Sequence, residues 1–570
     1  MLKNLGTQAK SLLPLIHKQS ANPITRWSNG LRKKPAVAAL QELEQFVDDL
    51  LANQEDPTKL LNIIESIRSD LHQINPDSEG LTNLAGAITC PRATDCEVKI
   101  YEQVMKLSNG TGNDIFSLAL HRCVAASIYR QLVYYHSYLP VPEKEWKRIH
   151  QLFYEAIQKN ISHFIVIDKI YFIGRKLSVM NLYSISLLLG CGRLNHLSPN
   201  DISRVFKTMP NWCSMISISS NPDGSEKNSL VVDLNASSAP YFKNVGYLKE
   251  NSCLYYIQIG KLIANINRLL LNEEKTFSVL MKKIAAPAFG MESQVLNPDI
   301  IRHLKLAWTE PSSRQQPIQT NEDILVCFGF ENIFFYLTGK KTLKEFIGDK
   351  ASFSIIYNHD SDVTSIEKHR SVDIWSSFLS VPVGSHVSGK IPTELHFKNC
   401  FTHKNQAQTN TDHPVLTLKM IDSSPDGCRL LWATTSTASP DVGELVGLCN
   451  QASNGFWQVG EIVWKDQSRT GEMTTGIHIL STLAIPVAVD VPLRHGSHEN
   501  YTRGILFPPE EQLGTSTVSF LLSSLKLQQG EYVAISQKGI EEKIFLKKSL
   551  KANPYFESYE CAFVVKTPLN

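Results

Sequence analysis

The sequence predicts an α+β multidomain protein: an α-helical N-terminal region, then a small antiparallel β-barrel and a further β-rich C-terminal segment. Three observations carry this. At 570 residues the chain is several times the roughly 100–150 residues of a common domain. Up to about Pro210 its apolar residues recur at three- and four-residue steps, the period of a helix packed on one face. Beyond Asn321 the apolar runs shorten and are divided by Gly, Pro, Asp and Ser, the punctuation of antiparallel strands.

The elements follow in order. Ala36 to Leu51 places Leu40, Leu43, Phe46, Val47 and Leu50 on one helical stripe behind a proline. Asp56-Pro57 opens a second helix, Thr58 to His72, with Asp56 as N-cap and Pro57 at the first helical position. Two further helices, Asn113 to Tyr135 and Glu143 to Lys159, flank the stop-and-restart YLPVPEKEW. These read as helical hairpins without a fixed repeat period, so residues 1–210 form a repeat-like helical domain. Residues 211–315 are a mixed α/β segment, with strands at Met215 to Ser219 and Leu230 to Leu234 and a helix pair from Leu254 to Ala286. A short helix at Asp299 to Trp308 precedes the linker PSSRQQPIQTN, which sets a domain boundary near residue 315. Residues 316–400 are a mixed α/β lead-in, 401–491 the barrel, and 492–570 a β-rich C-terminal segment. Six runs are assigned to the barrel: Val415 to Ile421, Cys428 to Ala433, Leu445 to Asn450, Trp457 to Trp464, Thr475 to Leu480 and Pro486 to Val491. The strands SFLLSSL, GEYVAIS and EKIFLKK follow, either as a separate barrel or as additions to the region 321–398.

Composition narrows the function. Lys+Arg 57 against Asp+Glu 55 leaves a formal charge of +2, which argues against a nucleic-acid polymer as partner, since phosphate neutralisation needs a basic excess. Eleven cysteines, whose closest pair is Cys90 and Cys96, have neither zinc-knuckle nor redox spacing and read as reduced, mostly buried thiols. The N-terminal MLKNLGTQAKSLLPLIHKQSANP breaks its apolar residues too often for a signal peptide. The longest apolar run, Met180 to Gly190, is too short to span a bilayer. The expectation is a cytoplasmic, bacterial protein with no transmembrane segment.

No residues suggest catalysis. LTGKKT, Leu337 to Thr342, resembles the tail of a P-loop, but Phe334 stands where its first glycine belongs and Lys341 where Ser or Thr must follow the lysine. The loop Asn358-His359-Asp360-Ser361-Asp362 lacks the Gly and Glu of a calcium loop, and reads as a solvated turn. His495 and His498, in RHGSHEN, make a weaker candidate still, and no GxSxG, HExxH or GxGxxG occurs. The expectation is a non-enzyme without metal or cofactor.

The informative segment is Lys419 to Leu430. Its Pro425-Asp426-Gly427 reads as a hairpin turn, with proline presetting the first turn angle and glycine taking a left-handed one. That does not require Asp422 or Ser424, which alternation puts on one face of the strand end. Here the chain resembles the PilZ family of cyclic di-GMP receptors, whose barrel carries a [D/N]xSxxG motif matched by Asp422, Ser424 and Gly427. The likeness continues through VGELVGLCNQASNGFWQVGEIVWKDQSRTGEMTTGIHILSTLAIPV. It implies cyclic di-GMP as a regulatory ligand, with Asp422 accepting from a guanine edge, Ser424 making a polar contact and Gly427 letting the backbone approach. Receptors of this family also carry an RxxxR clamp ahead of the barrel, and none occurs here. Between Arg370 and Arg429 the basic residues are Lys390, Lys398, Lys404 and Lys419, with His386, His396, His403 and His413. IYRQLVYYHSYLPVPEKEWKRIHQLFYEAI and MNLYSISLLLGCGRLNHLSPNDISRVFKTMPNW resemble the helical region of large bacterial proteins that end in such a barrel. Two readings stand: a cyclic di-GMP effector whose helical region meets an unidentified protein partner, and a ligand-free scaffold with a degenerate barrel.

Overall fold

The computed structural model describes residues 22–31, 33–74, 84–109, 113–172, 174–221, 229–243, 252–280, 296–311, 318–348, 385–388, 413–432, 440–450, 456–468, 470–490, 501–523, 527–537 and 540–566. Two units divide the chain, Met1–Ser313 with Asp466–Arg469, and Arg314–Lys465 with Thr470–Asn570.

The first unit begins with helices α1 (Asn22–Leu31), α2 (Ala36–Asn53), α3 (Pro57–Ile74), α4 (Leu84–Ser108), α5 (Asn113–His136) and α6 (Glu143–Gln158). The α2 stripe Leu40, Leu43, Phe46, Val47 and Leu50 is buried throughout, as its spacing requires. Asp56 Oδ1 accepts from the amides of Thr58 (2.9 Å) and Lys59 (3.3 Å), so two of the orphan N–H groups at the start of α3 are satisfied. A hairpin follows, β1 (Ile165–Asp168) and β2 (Arg175–Ser178), then α7 (Val179–Gly190) and α8 (Pro199–Trp212). The apolar run noted at 180–190 is α7, a core helix buried on nearly every side. Strands β3 (Ser217–Ser219), β4 (Leu230–Asp233), β5 (Tyr241–Phe242) and β6 (Leu254–Gln258) form a sheet in the order β3-β6-β4-β5. The helix pair expected from Leu254 is corrected here. Leu254–Gln258 is a strand, and helix α9 (Gly260–Leu280) follows it, with residues 281–286 outside the described residues. Its apolar residues run on into those of the helix, so periodicity alone does not separate them. Helix α10 (Pro298–Thr309) completes the unit and buries Trp308, whose indole N–H donates to the Leu188 carbonyl (3.0 Å).

The second unit contains a closed antiparallel barrel of six strands in the order β10-β13-β12-β11-β7-β9. They are β7 (Ile318–Phe328), β9 (Leu416–Ser424), β10 (Gly427–Trp432), β11 (Leu445–Cys449), β12 (Trp457–Gln467) and β13 (Met473–Ser481). Five of the six expected runs are barrel strands. The sixth place belongs to β7, far ahead of residue 401, while the expected sixth run is β14 (Ile485–Asp490) of another sheet. That sheet comprises β14, β15 (Tyr501–Phe507), β16 (Ser519–Leu522), β17 (Tyr532–Gln537), β18 (Ile540–Ala552) and β19 (Glu557–Lys566), with β8 (Ser385–Ser388) added on β19. Because β16 pairs with both β15 and β19, the first six of these strands close a second ring. Among the described residues every strand of the two rings has neighbours on both sides, while β8 lies on β19 as an outer strand of the second sheet.

Helices α11 (Phe330–Leu337) and α12 (Leu343–Ile347) follow β7. The LTGKKT run is the end of α11, a turn, and the α12 N-cap. Thr342 forms a capping box with Glu345, so its hydroxyl serves the helix. The segments around 358–362 and 495–498 lie outside the described residues. Among the described residues no group of three or more His, Cys, Asp or Glu is placed to hold a metal ion, and no helix is long and apolar enough to cross a membrane.

Candidate ligand-binding site

The hairpin of β9 and β10 carries Asp422, Ser424 and Gly427 at one end of the first barrel. Its loop is two residues, Pro425 and Asp426, with Ser424 paired to Gly427, Ser423 to Cys428 and Asp422 to Arg429. Along β9, Leu418 and Met420 point into a core shared with Leu430, Trp432, Val446, Ile462 and Ile477. Just past that apolar stripe comes Asp422, a buried carboxylate.

What makes this burial tolerable is Arg429. Its Nε donates to Asp422 Oδ2 (2.7 Å) and its Nη2 donates to the same oxygen, a charge-assisted pair on adjacent strands. Asp422's side chain is 4% exposed and that of Arg429 31%, so the carboxylate lies beneath and the guanidinium above. The bond to Asp422 and the carboxylate's charge raise the Arg429 pKa further above its ordinary value.

Backbone irregularity marks the same row. Between Arg429 and Leu430 the pairing with β9 shifts from Asp422 to Met420, a bulge that lets Arg429 share the face of Asp422 while Leu430 and Trp432 stay inside. On the other side of β9, the β7 ladder shifts between Gln319, opposite Asp422, and Glu322, with Asn321 at a φ of 116°. The row across the sheet is therefore Gln319, Asp422, Arg429 and Gly476.

Ser424 and Gly427 serve the turn. The Ser424 hydroxyl donates to Asp426 Oδ1 (2.7 Å), a bond that lowers the Asp426 pKa, and the Gly427 carbonyl lies 3.2 Å away. The Asp426 carbonyl accepts from the Ile479 amide (2.9 Å) and the His478 Nδ1–H (3.0 Å), which ties the turn to β13. Gly427 is not among the positive-φ glycines, so the left-handed angle expected of it is corrected. Its lack of a side chain meets a different need, for a Cβ there would stand 2.4 Å from the Ile477 carbonyl oxygen. Gly476 is comparable: a Cβ would lie 2.0 Å from Trp464 Nε1, so the indole occupies the face over Gly476, directly across from Arg429.

The structure thus brings the three motif residues together and adds Arg429, Gln319 and Trp464. Arg429 was open to sequence reasoning. A two-residue loop at Pro425-Asp426 fixes the pairing of 424 with 427 and hence of 422 with 429. Gln319 was not, because its strand lies almost a hundred residues upstream.

Residues 22–223 match the family model described as the N-terminal domain of the cyclic-di-GMP receptor FimW, and residues 229–486 match that of the FimW middle PilZ domain. The chain is 24% identical over 439 residues, 76% of its own length and 70% of the relative's, to the cyclic-di-GMP receptor FimW of Pseudomonas aeruginosa. No solved structure matches the chain.

Proposed function

We propose, from the premise that the chain belongs to the proteins in which a helical N-terminal domain precedes a PilZ-type barrel, that it is a non-catalytic cyclic di-GMP receptor and signalling effector. The observation that carries this is the Asp422-x-Ser424-x-x-Gly427 turn at the end of a closed six-stranded barrel. The likeness to a cyclic-di-GMP receptor along three quarters of the chain supports it. The ligand site is assigned to the hairpin end that carries Asp422, Ser424 and Gly427. Ligand binding there alters how the helical domain meets a protein partner in the cytoplasm.

The second reading, a ligand-free scaffold, has its own support: the Asp422 carboxylate is committed to Arg429 and the Ser424 hydroxyl to Asp426. Calorimetry of cyclic di-GMP with the full chain, against GTP and cyclic di-AMP, separates the two. Specific binding at micromolar or tighter concentration supports the receptor. No heat from a folded sample leaves the scaffold, and capture of a partner by the helical domain becomes its assay.

A further inference from the structure

We infer that Arg429 is the residue that touches the base of the bound nucleotide, and that Asp422 is its positioning residue, holding the guanidinium from beneath. This deepens the receptor reading and rests on it. The family likeness implies the reverse order, with the aspartate meeting the ligand. The geometry favours the arginine because Asp422 is nearly closed to solvent while Arg429 is about one third exposed.

A guanidinium has five N–H groups in a rigid fork. Asp422 takes the Nε edge, with Nε and Nη2 both donating to Oδ2. The end of the fork, where Nη1 and Nη2 each keep an outward N–H, is a pair of parallel donors. Two parallel acceptors match it, and guanine offers them as O6 and N7. Adenine does not, since its N7 acceptor is flanked by an N6 donor. The Trp464 indole over Gly476 lies on the same strand face as Arg429. That planar neighbour suits a base better than a phosphate. The chain has no RxxxR ahead of the barrel, and among the described residues Arg429 supplies the guanidinium fork at this turn.

The test is calorimetry on the full chain with cyclic di-GMP and cyclic di-AMP, comparing wild type with R429K, R429Q, D422N and D422N/R429K. Thermal denaturation of each variant checks the fold. Arg429→Lys keeps a cation beside Asp422 but loses the fork, so it should weaken cyclic di-GMP binding about tenfold or more, within the ~1–3 kcal/mol of a bidentate base contact. The preference over cyclic di-AMP should collapse with it. Asp422→Asn should cost less, and the double variant should bind no worse than R429K, because the aspartate acts through the arginine. Additive losses in the double variant, or wild-type affinity in R429K, overturn the assignment. So does an equal fall for both nucleotides, which places the guanidinium on phosphate. A folded wild type that takes up no cyclic di-GMP removes the receptor reading itself.

Discussion

Asp168 shows how one carboxylate can organise a buried charge cluster. It is fully enclosed, accepts from Arg68 Nη2 (2.7 Å) and Arg122 Nη1 (3.0 Å), and takes the amides of Ile170 and Tyr171 on its other oxygen (both 2.8 Å). Arg68 also donates to Glu97, whose other oxygen accepts from the Tyr171 hydroxyl, and Arg122 reaches Glu65. Burial alone pushes the Asp168 pKa up, but the two guanidinium groups and the amides outweigh it and bring it to about 2. Its unfolded value is near ~3.9. A depressed folded value means that the stabilisation is present above pH ~4 and is lost as pH falls through about 2. Asp168→Asn should therefore cost roughly 3–5 kcal/mol at pH 7, by stranding two buried cations. Urea denaturation should show that gap shrinking between pH 4 and pH 2, and a gap that stays constant would remove the electrostatic account. Gly427 gives a second case. Gly427→Ala places a methyl 2.4 Å from the Ile477 carbonyl, so β10 and β13 must part, at about 1–3 kcal/mol of overpacking strain. Urea midpoints read this without ligand, which separates the ladder requirement from any contact with a nucleotide.

At the scale of elements, α7 depends on its first turn. Ser178 Oγ accepts from the Asn181 amide (3.2 Å) and the Asn181 side-chain oxygen accepts from the Ser178 amide (3.1 Å). The reciprocal box satisfies donors that an apolar, buried helix cannot leave open. Ser178→Ala should lower stability by about 0.5–2 kcal/mol, with hydrogen exchange rising first at the α7 N-terminus. Uniform exchange along α7 would deny the cap its role. Most elements were legible in the sequence, because helical stripes and short strands are local patterns. What was not legible is instructive. Strand β7 begins with an exposed Ile318 followed by the polar Gln319, Thr320 and Asn321, and so reads as the tail of a Pro- and Gln-rich linker until its pairing with β9 and β11 is seen. Strand β14 was seen as a strand, yet periodicity carries no information about which sheet a strand joins. The site divides the same way. Asp422, Ser424 and Gly427 came from a motif and Arg429 was recoverable from hairpin arithmetic. Gln319, and Trp464 over Gly476, depend on long-range register.

Across the second unit, the two rings are not independent bodies. Helix α11 buries Phe330, Ile333, Phe335, Tyr336 and Leu337 in one apolar cluster with Leu445, Trp457 and Val459 of the first ring and Ile505, Phe507 and Leu521 of the second. Tyr336 stacks on Trp457 at 4.6 Å between ring centroids, and Lys551 of β18 pairs with Glu461 of β12. Tyr555 donates to Asp441 (2.7 Å) and Asn553 donates to the Gly443 carbonyl (2.9 Å). A common core of this kind makes the opening of one ring costly for the other, so the pair should exchange and unfold as one cooperative unit. Ile333→Ala removes a fully buried side chain from the middle of that core and should cost about 2–5 kcal/mol. Hydrogen exchange of the variant should show β11 and β15 losing protection together, by similar factors. Faster exchange in β11 with β15 unchanged would mean that the rings open separately. In that case a nucleotide held at the end of the first ring would have no route through α11 to the second.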